Sequence, residues 1–447
     1  MMERTHLVVF GATGFTAQRV ISELVARGTT WIPAGFTWAL GGRNLKNLET
    51  QAGKLANIDG IPKPSVVYGD VTSPESMLRL AQSTKLVLNC VGPYRDTGEP
   101  VVKACVQGGA DYLDLCGEPE FIEKMVLNYF EAARKAGVSI VHAAAYDSVP
   151  CDFAVLAAKR AIQARGAAPG SIEMFMAVHN DKLSPGGHYA TYQAAVDGFS
   201  SAYRELPRVR KHLSQSMWSA RPAPLRPLGP VVRLRRGTMG VSTDERVGGY
   251  MIPYFFSDPA VVRLSQSLDS YLGTRTPNAH FTAYLVIART WTLIILTFYY
   301  TIFSSLVQSP FGRSLLLAYP SLFTKGAITH TGPTQAQLDD TRFSQTYIIK
   351  GYYKPSSPSS SPTRSVASPD VNLRATMTGP EPGYVATPIF FLLCAREILR
   401  NRERVTRGVL TPAVAFTHGV EEMLQQLNED GRVQWQIDEE KEEVSKR

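Results

Sequence analysis

The chain reads Leu7-Val8-Val9-Phe10-Gly11-Ala12-Thr13-Gly14-Phe15-Thr16-Ala17 near its start. The apolar run 7–10 predicts a buried strand, and the apolar residues among 20–25 share one face of a helix. Glycine allows a sharp turn and lets a pyrophosphate approach the N–H groups at the start of that helix. We therefore expect a dinucleotide-binding turn, with a plain strand-to-helix turn as the alternative. The residues expected at the cofactor are Gly11, Thr13, Gly14, Phe15 and Thr16.

Short apolar runs and helical patterns alternate through the first 150 residues. Strands that are apolar on both faces need helices above and below them. The pattern therefore predicts an α/β fold, with an N-terminal Rossmann-type doubly wound parallel sheet that binds the cofactor in residues 1–150. The predicted strands are Leu7–Phe10, Phe36–Leu40, Val66–Tyr68, Leu86–Cys90, Tyr112–Leu115 and Ser139–His142.

After Pro150 this rhythm is lost until two strands are predicted at Tyr347–Tyr352 and Val371–Met377. We expect a second, mixed α+β domain over residues 151–382 that carries the substrate. Between the two strands, eleven of the seventeen residues 354–370 are Ser or Pro, which predicts a disordered surface insertion. Residues 383–447 should form helices that pack back on the protein, at Pro388–Leu399 and Val420–Leu427, and end in a charged tail, 438–447.

The 447 residues carry a net charge of +8. The stretch 204–236 has nine Lys or Arg and one acid, so it accounts for the whole net charge. Such a local concentration argues against a nucleic-acid-binding protein and favours one anionic partner. Five cysteines without a C-x-x-C pair, and a start that lacks a long apolar run before a cleavage site, predict a protein that is not secreted. No metal site is expected.

The end of the second predicted strand indicates which dinucleotide binds. This position often carries an acid for the ribose 2′-hydroxyl of NAD, whereas the chain has Arg43 and Asn44 and no acid. A guanidinium can hold a phosphate with two hydrogen bonds. We therefore expect NADP rather than NAD, the alternative being that Arg43 is a plain surface arginine.

The fourth predicted strand runs into the segment Val91-Gly92-Pro93-Tyr94. An open parallel sheet places its ligand at the carboxyl ends of its strands. We expect Val91, Gly92 and Pro93 to contact the nicotinamide side of the cofactor. Tyr94 is a candidate proton donor, with a buried structural tyrosine as the alternative.

Several common catalytic patterns are absent from the sequence. No tyrosine is followed four places later by lysine, and the motifs of common esterases, zinc peptidases and P-loop proteins are missing. Two polar clusters, 111–118 and 146–152, follow predicted strands and should face the same crevice as the glycine turn. Tyr146 and Asp147 are the candidate general acids in the second cluster, and helix capping by its acids is the alternative. His142 is expected in the core.

Taken together, these motifs resemble the saccharopine dehydrogenase-like oxidoreductases, and they occur in the same order from residue 5 to about 425. This family includes mycobacterial trans-acting enoyl reductases of glycolipid assembly and eukaryotic members associated with lipid droplets. The resemblance implies an oxidoreductase but leaves the substrate open, because Ala145 and the segment 184–189 depart from the family pattern. The resemblance is carried by the segments 8–17, 41–44, 89–94, 112–118, 146–152, 379–384 and 408–413.

Residues 290–307 form an uncharged run of eighteen, twelve of them apolar and six Thr or Ser. Three interpretations remain open: a buried helical hairpin, a transmembrane span, or insertion into one face of a membrane. A second apolar run at 314–319 and the basic stretch upstream favour the last, because stable peripheral anchoring needs two signals. The membrane-facing segment is expected to cover about 281–320.

These features lead to one hypothesis with one alternative. The hypothesis is an NADPH-dependent reductase of a C=C or C=O bond in a lipid or lipid-linked substrate, with Tyr94, Tyr146 or Asp147 as proton donor. The alternative is a catalytically silent lipid-droplet or membrane surface protein that keeps the dinucleotide fold as a binding module. The expected location is the cytoplasmic face of a membrane or lipid droplet. An anionic membrane or droplet surface is the expected partner, and a homodimer is left open.

Overall fold

The structure is a computed structural model. It describes residues 4–28, 35–202, 205–220, 225–235, 237, 240–274, 276–353 and 368–439, without the side chains of 200–202 and 220. The predicted insertion 354–370 falls mostly outside the described residues, as does the predicted charged tail beyond residue 439.

The described strands and helices alternate from β1 to β7, and after β7 elements of the same kind often follow one another. The strands are β1 (Thr5–Phe10), β2 (Trp38–Gly42), β3 (Ser65–Tyr68), β4 (Thr84–Asn89), β5 (Asp111–Asp114), β6 (Ser139–Val141), β7 (Ala168–Asn180), β8 (Gly187–His188), β9 (Ser242–Thr243), β10 (Tyr250–Pro253), β11 (His280–Ile287), β12 (Ile328–Thr329), β13 (Thr341–Tyr352), β14 (Val371–Pro380), β15 (Gly408–Leu410) and β16 (Gln434–Glu439). The helices are α1 (Phe15–Arg27), α2 (Leu45–Leu55), α3 (Pro74–Gln82), α4 (Tyr94–Gly108), α5 (Pro119–Ala136), α6 (Val149–Ala164), α7 (Tyr189–Ala202), α8 (Leu206–Gln215), α9 (Asp258–Tyr271), α10 (Thr290–Leu306), α11 (Pro310–Ala318), α12 (Pro320–Phe323), α13 (Gln335–Asp340), α14 (Thr387–Arg400), α15 (Pro412–Ala415) and α16 (Val420–Asp430).

The first sheet confirms the predicted Rossmann-type architecture. Its strands run parallel in the order β15-β6-β5-β4-β1-β2-β3. Each of the six predicted strands lies within two residues of its expected bounds. Because the strands are parallel, the carboxyl ends of β1, β4, β5 and β6 meet at one edge. The predicted polar clusters and the glycine turn therefore lie on the same side of the molecule.

The C-terminal part of the chain contributes to both sheets. Helix α14 packs against α1 and against β4 and β5 of the first sheet, and β15 extends that sheet beside β6. Strand β16 pairs with β14 in the second sheet. The sequence predicted helices in this region, and α14 and α16 are present, but the two short strands were not expected. A three-residue strand such as β15 is too short to show a periodic pattern.

The second sheet is mixed, as expected for the second domain. Its order is β16-β14-β13-β7-β11-β10-β9, with β7 and β11 parallel and the other pairs antiparallel. The sequence did not predict β7, although it is thirteen residues long. Its first nine residues are all buried, so polar and apolar residues do not alternate along it.

Helix α6 joins the two sheets, since it leaves β6 and packs against β7, β13, β14 and α9. One hydrophobic cluster includes Leu7 of the first sheet and Tyr347 of the second. The junction between the sheets is therefore part of the core. This arrangement brings the loop before α6 next to the start of α9.

The apolar segment begins later than the sequence predicted. Residues 280–287 form β11, which pairs with β7 in the second sheet, and the helical part starts at Thr290. Helix α10 has no buried residue, which rules out the buried hairpin. Among the described residues, one stretch, Pro382–Arg400, has the length and composition to cross a membrane, but 72% of it is buried inside the protein.

Candidate functional site

The turn between β1 and α1 is held by main-chain hydrogen bonds. The N–H groups of Gly11 and Ala12 donate to the carbonyl of Gly41 over 2.9 and 3.2 Å, and Gly14 N–H donates to the carbonyl of Gly11 over 2.9 Å. Gly11 has a φ of +81°, a conformation that favours glycine. Gly14 begins α1 without a side-chain cap, so the N–H groups of the first turn face outward, where the helix dipole favours an anion.

A β-carbon at Gly14 would lie 3.2 Å from the carbonyl oxygen of Gly11, which is the one atom it would meet among the described residues. Residues 13 and 14 are exposed, whereas Ala17 is buried beneath the turn. The turn between β1 and α1 thus forms a cradle with the shape and the N–H donors that a pyrophosphate needs. The main chain of Gly11, Thr13, Gly14, Phe15 and Thr16 lies in this turn and at the start of α1, and its contact with the cofactor stays a prediction.

Phe15 directs its ring away from this cradle and into the second domain. The ring stacks on His188 with centroids 4.7 Å apart and meets Tyr384 edge-on at 5.1 Å. The hydroxyl of Tyr384 accepts a hydrogen bond from His188 N–H over 2.8 Å. The main chain of Phe15 therefore belongs to the start of α1, while its side chain connects the glycine turn with His188 and Tyr384.

Arg43 and Asn44 follow β2 as expected. Arg43 is exposed at the edge of the sheet, so its guanidinium is accessible to a phosphate. Asn44 caps α2, and its Oδ1 accepts a hydrogen bond from Asn47 N–H over 3.1 Å. The geometry leaves Arg43 available for a ligand but gives the Asn44 side chain a structural role.

The loop after β4 is fixed from two sides. Asn89 Oδ1 accepts a hydrogen bond from Val91 N–H over 3.0 Å, and the Gly92–Pro93 peptide bond is cis. The carboxylate of Glu118, which follows β5, accepts from the N–H groups of Tyr94 and Arg95 over 2.9 and 3.1 Å. The backbone at Val91, Gly92 and Pro93 is thus presented beside the glycine turn.

Tyr94 occupies a buried structural position. Its hydroxyl donates to the carbonyl of Asn89 over 2.9 Å and accepts from Leu115 N–H over 3.2 Å, which ties the ends of β4 and β5 together. Burial raises the pKa of this phenol well above its ordinary value. Its proton is engaged with the main chain, so the geometry does not favour Tyr94 as the donor.

Tyr146 lies between the two sheets with its ring against Phe343, at a centroid distance of 4.7 Å. It is 7% exposed, and its hydroxyl has no hydrogen-bond partner among the described residues. The Nε2 group of Gln345 nearby also lacks a partner. Burial raises the pKa of Tyr146 well above its ordinary value. The Tyr146 hydroxyl and the Gln345 side chain therefore face each other in this interior site.

Asp147 is only half-buried, and its carboxylate lies where a side chain at Gly117 would be. Burial raises the pKa of Asp147 to about 7, while a hydrogen bond from Ser257 opposes that rise. A carboxyl group with such a pKa holds a proton near neutral pH and can donate it. Among the three predicted donors, Asp147 combines exposure with a suitable protonation state.

Asp258 is a neighbour of Asp147 that the sequence did not single out. It begins α9 and is 1% exposed, and the Tyr254 hydroxyl and the Cys151 thiol lie against its carboxyl group. Burial and, after it, the charge of Asp147 raise its pKa well above the ordinary value. A Ser-Asp-Pro start of a helix is common enough that no sequence pattern distinguishes this acid.

His142 belongs to a separate buried network, in agreement with its predicted core position. Its Nδ1 lies 2.6 Å from Asp114, and the Tyr112 hydroxyl donates to the same carboxylate over 2.9 Å. The described residues contain no group of three or more metal-ligating side chains.

Comparison with known proteins gives consistent matches. A family model described as the saccharopine dehydrogenase NADP binding domain matches residues 7–141. The human protein named saccharopine dehydrogenase-like oxidoreductase is 33% identical over 433 residues, which are 95% of this chain and 96% of that protein. The lipid droplet localized protein of Caenorhabditis elegans is 29% identical over 93% of this chain and 94% of its own length.

Two more distant matches are informative. A Mycobacterium tuberculosis protein with the provisional name of a trans-acting enoyl reductase is 28% identical over 94% of both chains. The solved structure of saccharopine dehydrogenase (L-Glu forming) from Saccharomyces cerevisiae superposes with a TM-score of 0.54 at 11% identity, covering 97% of this chain and 99% of that one. At this identity the likeness shows the fold alone.

Proposed function

The chain belongs to the saccharopine dehydrogenase-like oxidoreductase family and is an NADP-dependent oxidoreductase; on that premise we propose that it reduces a C=C or C=O bond of a lipid or lipid-linked substrate at a membrane or lipid-droplet surface. Three relatives bear on this proposal through their names alone: an oxidoreductase, a lipid-droplet protein and an enoyl reductase.

The observation that carries the proposal is the exposed apolar surface of α10–α12. Trp291, Ile294 and Phe298 lie at one face of α10 and are 70%, 53% and 60% exposed. Phe311 and Leu322, on the next two helices, are 77% and 69% exposed. Contiguous large apolar groups of this kind mark a surface that meets a membrane or a partner. We call residues 290–323 the apolar surface.

The length of α10 favours insertion in the plane of a lipid surface over a span. Its 17 residues, at about 1.5 Å each, reach about 26 Å, which is less than the hydrocarbon core of about 30 Å. A helix that lies in the interface buries one apolar face and gains about 25 cal/mol per Å² removed from water.

Aromatic rings connect the apolar surface with the candidate proton donor. Tyr300 of α10 lies 6.3 Å from Phe255, which lies 4.6 Å from Phe256, which in turn lies 5.2 Å from Tyr254 (all between ring centroids). Tyr254 faces Asp258, the neighbour of Asp147. An acyl chain anchored in lipid would therefore have an apolar route towards the half-buried carboxyl group of Asp147.

Only some of the described arginines in the basic stretch 204–236 are exposed. Arg210 of α8 makes a two-pronged ion pair with the buried Glu123 of α5, at 2.7–3.0 Å, so its charge is used within the fold. Arg226, Arg233 and Arg235 are exposed and are available to an anionic surface. Arg204, Arg221 and Arg236 lie outside the described residues.

The reaction needs a hydride from the cofactor and a proton from a side chain. NADPH supplies a hydride when it is bound. The N–H groups at the start of α1 would hold its pyrophosphate, Arg43 its 2′-phosphate, and the Val91–Pro93 backbone would border the nicotinamide end. Asp147, protonated near neutral pH, would supply the proton that completes the reduction. The proposed location is a membrane or lipid-droplet surface that faces the cytoplasm.

A reconstituted reductase assay tests this proposal. Purified full-length protein would be mixed with NADPH and with lipid-extract fractions in phosphatidylcholine–phosphatidylserine vesicles, and NADPH consumption measured by absorbance. We expect one lipid fraction to support turnover, and Asp147→Asn to lose turnover while it still binds NADPH. If no fraction consumes NADPH although the protein binds both cofactor and vesicles, the silent surface protein is the correct description.

A further inference from the structure

A small part of the second domain has a core of its own. Helices α7, α10, α11 and α12 pack together with the short strands β8 and β12, and we call residues 187–202 and 290–329 the helical unit. Its core is a hydrophobic cluster separate from the large one that joins the two sheets. The buried side chains of this small core are Tyr192, Val196, Val307 and Leu316. The apolar surface 290–323 belongs to the same unit.

Strands β8 and β12 connect the helical unit with the glycine turn. The ring of Phe15, one residue after Gly14, stacks on His188 of β8 at a centroid distance of 4.7 Å. The loop after β12 packs on the same ring so closely that Gly332 has no room for a β-carbon. The first turn of α1, which is expected to hold the pyrophosphate, therefore lies directly under the two strands of the unit.

Helix α7 connects the helical unit with the second cofactor loop. Arg95 comes two residues after the segment 91–93, and its Nη1 group donates to the main-chain carbonyl of Asp197 of α7 over 2.7 Å. The Nη2 group of Arg95 pairs with Glu120 at 2.9 Å, and its main-chain N–H donates to Glu118 over 3.1 Å. The unit therefore contacts both loops that are expected to border the cofactor.

Few buried contacts stabilise the helical unit. Its core has four buried side chains among the described residues, and α10 contributes none of its own residues to the interior. Segments with few buried apolar contacts open at a much smaller free-energy cost than the whole fold. The contacts at Phe15 and Arg95 are thus the ones that a partial opening of this domain would break first.

We propose that a lipid surface and NADPH both stabilise the closed arrangement, in which the helical unit contacts Phe15 and Arg95, so that each ligand strengthens the binding of the other. Insertion of the apolar surface 290–323 into lipid orders the helices of the unit. A pyrophosphate at the start of α1 and a nicotinamide beside the segment 91–93 order the two loops that the unit contacts. This inference rests on the proposed function for the lipid surface only.

The two ligands act on the same equilibrium through different residues. A ligand shifts a conformational equilibrium by the difference between its affinities for the two states. Because lipid and NADPH both favour the closed state, the factor by which lipid raises NADPH affinity equals the factor by which NADPH raises lipid affinity. The protein would therefore hold its cofactor most tightly at the surface that supplies the substrate.

This linkage is tested without any substrate. The full-length protein is titrated with NADPH by fluorescence, in buffer and with saturating phosphatidylcholine–phosphatidylserine vesicles. We expect the Kd for NADPH to be lower by about fivefold or more with vesicles, which is the low end of typical linkage between two sites. Vesicle flotation with and without NADPH should give the same factor. An NADPH Kd that bound vesicles leave unchanged overturns the inference.

Variants at the two contacts locate the linkage. His188→Ala removes the ring that stacks on Phe15, and Arg95→Ala removes the hydrogen bond to Asp197. The double variant should bind NADPH with the same Kd with and without vesicles. If the double variant does not fold, the single variants replace it, and each should reduce the effect of vesicles. A vesicle effect of full size in these folded variants would contradict the inference.

Two further variants serve as controls. His188→Phe keeps an aromatic ring against Phe15 and should keep the effect of vesicles on NADPH binding. Tyr189→Ala is the matched control, because the ring of Tyr189 stacks on His330 at 4.2 Å and does not take part in the two contacts with the cofactor loops. It should also keep the effect. Loss of the effect in His188→Phe and Tyr189→Ala alike would show that any change in this segment abolishes it, and would overturn the assigned contacts.

The outcomes separate this inference from the proposed function. If the wild type does not bind vesicles, the lipid surface of the proposed function is refuted, and this inference with it. If vesicles bind and leave NADPH affinity unchanged, this inference alone is refuted. If vesicles raise NADPH affinity although no lipid fraction supports turnover, the linkage is supported and the reductase proposal is refuted.

Discussion

Gly11 and Val91 lie so close that a β-carbon on residue 11 would be 2.6 Å from Cγ2 of Val91. The glycine turn after β1 is therefore packed directly against the loop after β4. Gly14, three residues later, has an ordinary φ of −74°, and a β-carbon there would meet only the Gly11 carbonyl oxygen, at 3.2 Å. Residue 11 thus has no room for a side chain, whereas residue 14 faces open space, where we expect the ligand.

Valine at these two positions should separate stability from cofactor binding. Gly14→Val should remain folded but lose NADPH binding, because its side chain fills the pyrophosphate cradle. Gly11→Val should lower the melting temperature strongly, because it combines a positive φ with a clash. Thermal denaturation and fluorescence titration with NADPH measure the two effects. Gly53→Val, at an open site on α2, is the control, and NADPH binding by Gly14→Val would contradict the site.

Arg43 should determine the preference for NADPH over NADH. Arg43→Ala should weaken NADPH binding by about 1–3 kcal/mol, the range of a charge-assisted contact, and leave NADH binding unchanged. Calorimetric titration with both cofactors measures this difference. Arg79→Ala, which removes an exposed guanidinium paired with Glu75, should affect neither cofactor. Equal affinity of the wild type for NADPH and NADH would rule out this role.

The rate of reduction should fall as the pH rises through about 7. The folded-state pKa of Asp147 is raised by burial to about 7, above the ordinary value of about 3.9. The protonated donor therefore predominates below about pH 7 and is lost above it. Steady-state NADPH consumption, measured from about pH 5 to about pH 9, should show this decline, and a rate that instead increases through this range would exclude Asp147 as the acid.

The same pKa shift predicts a stability effect. Because burial raises the pKa of Asp147 in the folded state to about 7, its contribution to stability is complete below the unfolded pKa of about 3.9, decreases as the pH rises above that value, and is lost by about pH 7. The neutral variant Asp147→Asn should therefore show a smaller loss of melting temperature between about pH 5 and about pH 7. Thermal denaturation of both proteins in the same buffers measures this, and identical pH dependences would contradict the shift.

Charged residues on the apolar surface should release the protein from lipid. Replacing Trp291, Ile294 and Phe298 by Glu should abolish vesicle flotation while NADPH binding and melting temperature stay unchanged, because no residue of α10 is buried. A control triple variant, with Glu at Ile58, Tyr68 and Tyr353, changes exposed apolar residues elsewhere and should still float.

Salt should distinguish the two sources of lipid binding. Charge attraction is screened beyond a Debye length of roughly 8 Å at physiological ionic strength, whereas apolar burial is not. Flotation of the wild type should therefore weaken but persist in molar salt. Complete release by salt would assign the binding to the exposed arginines alone.

The sequence by itself determined six of the seven strands of the first sheet and indicated its cofactor. The predictions for the apolar strands and the glycine turn follow from burial and backbone freedom, and the expected role of Arg43 follows from its charge, and each of these is local to the chain. Six strands and the two C-terminal helices could be placed because their patterns are periodic or bounded by clear turn residues. For the same reason the sequence could name Asp147 as a candidate acid but could not rank it against Tyr94.

Only the tertiary structure decided which groups meet in the site. Tyr94 is bound to the main chain of two strands, and Phe15 reaches into the second domain. Ser257, which lies 110 residues from Asp147 in the chain, brings Asp258 beside it. Composition also could not tell whether residues 290–306 are core or surface, since a core helix and a lipid-facing helix are equally apolar. Contacts between distant segments, and the burial they create, have no local pattern in the chain that encodes them.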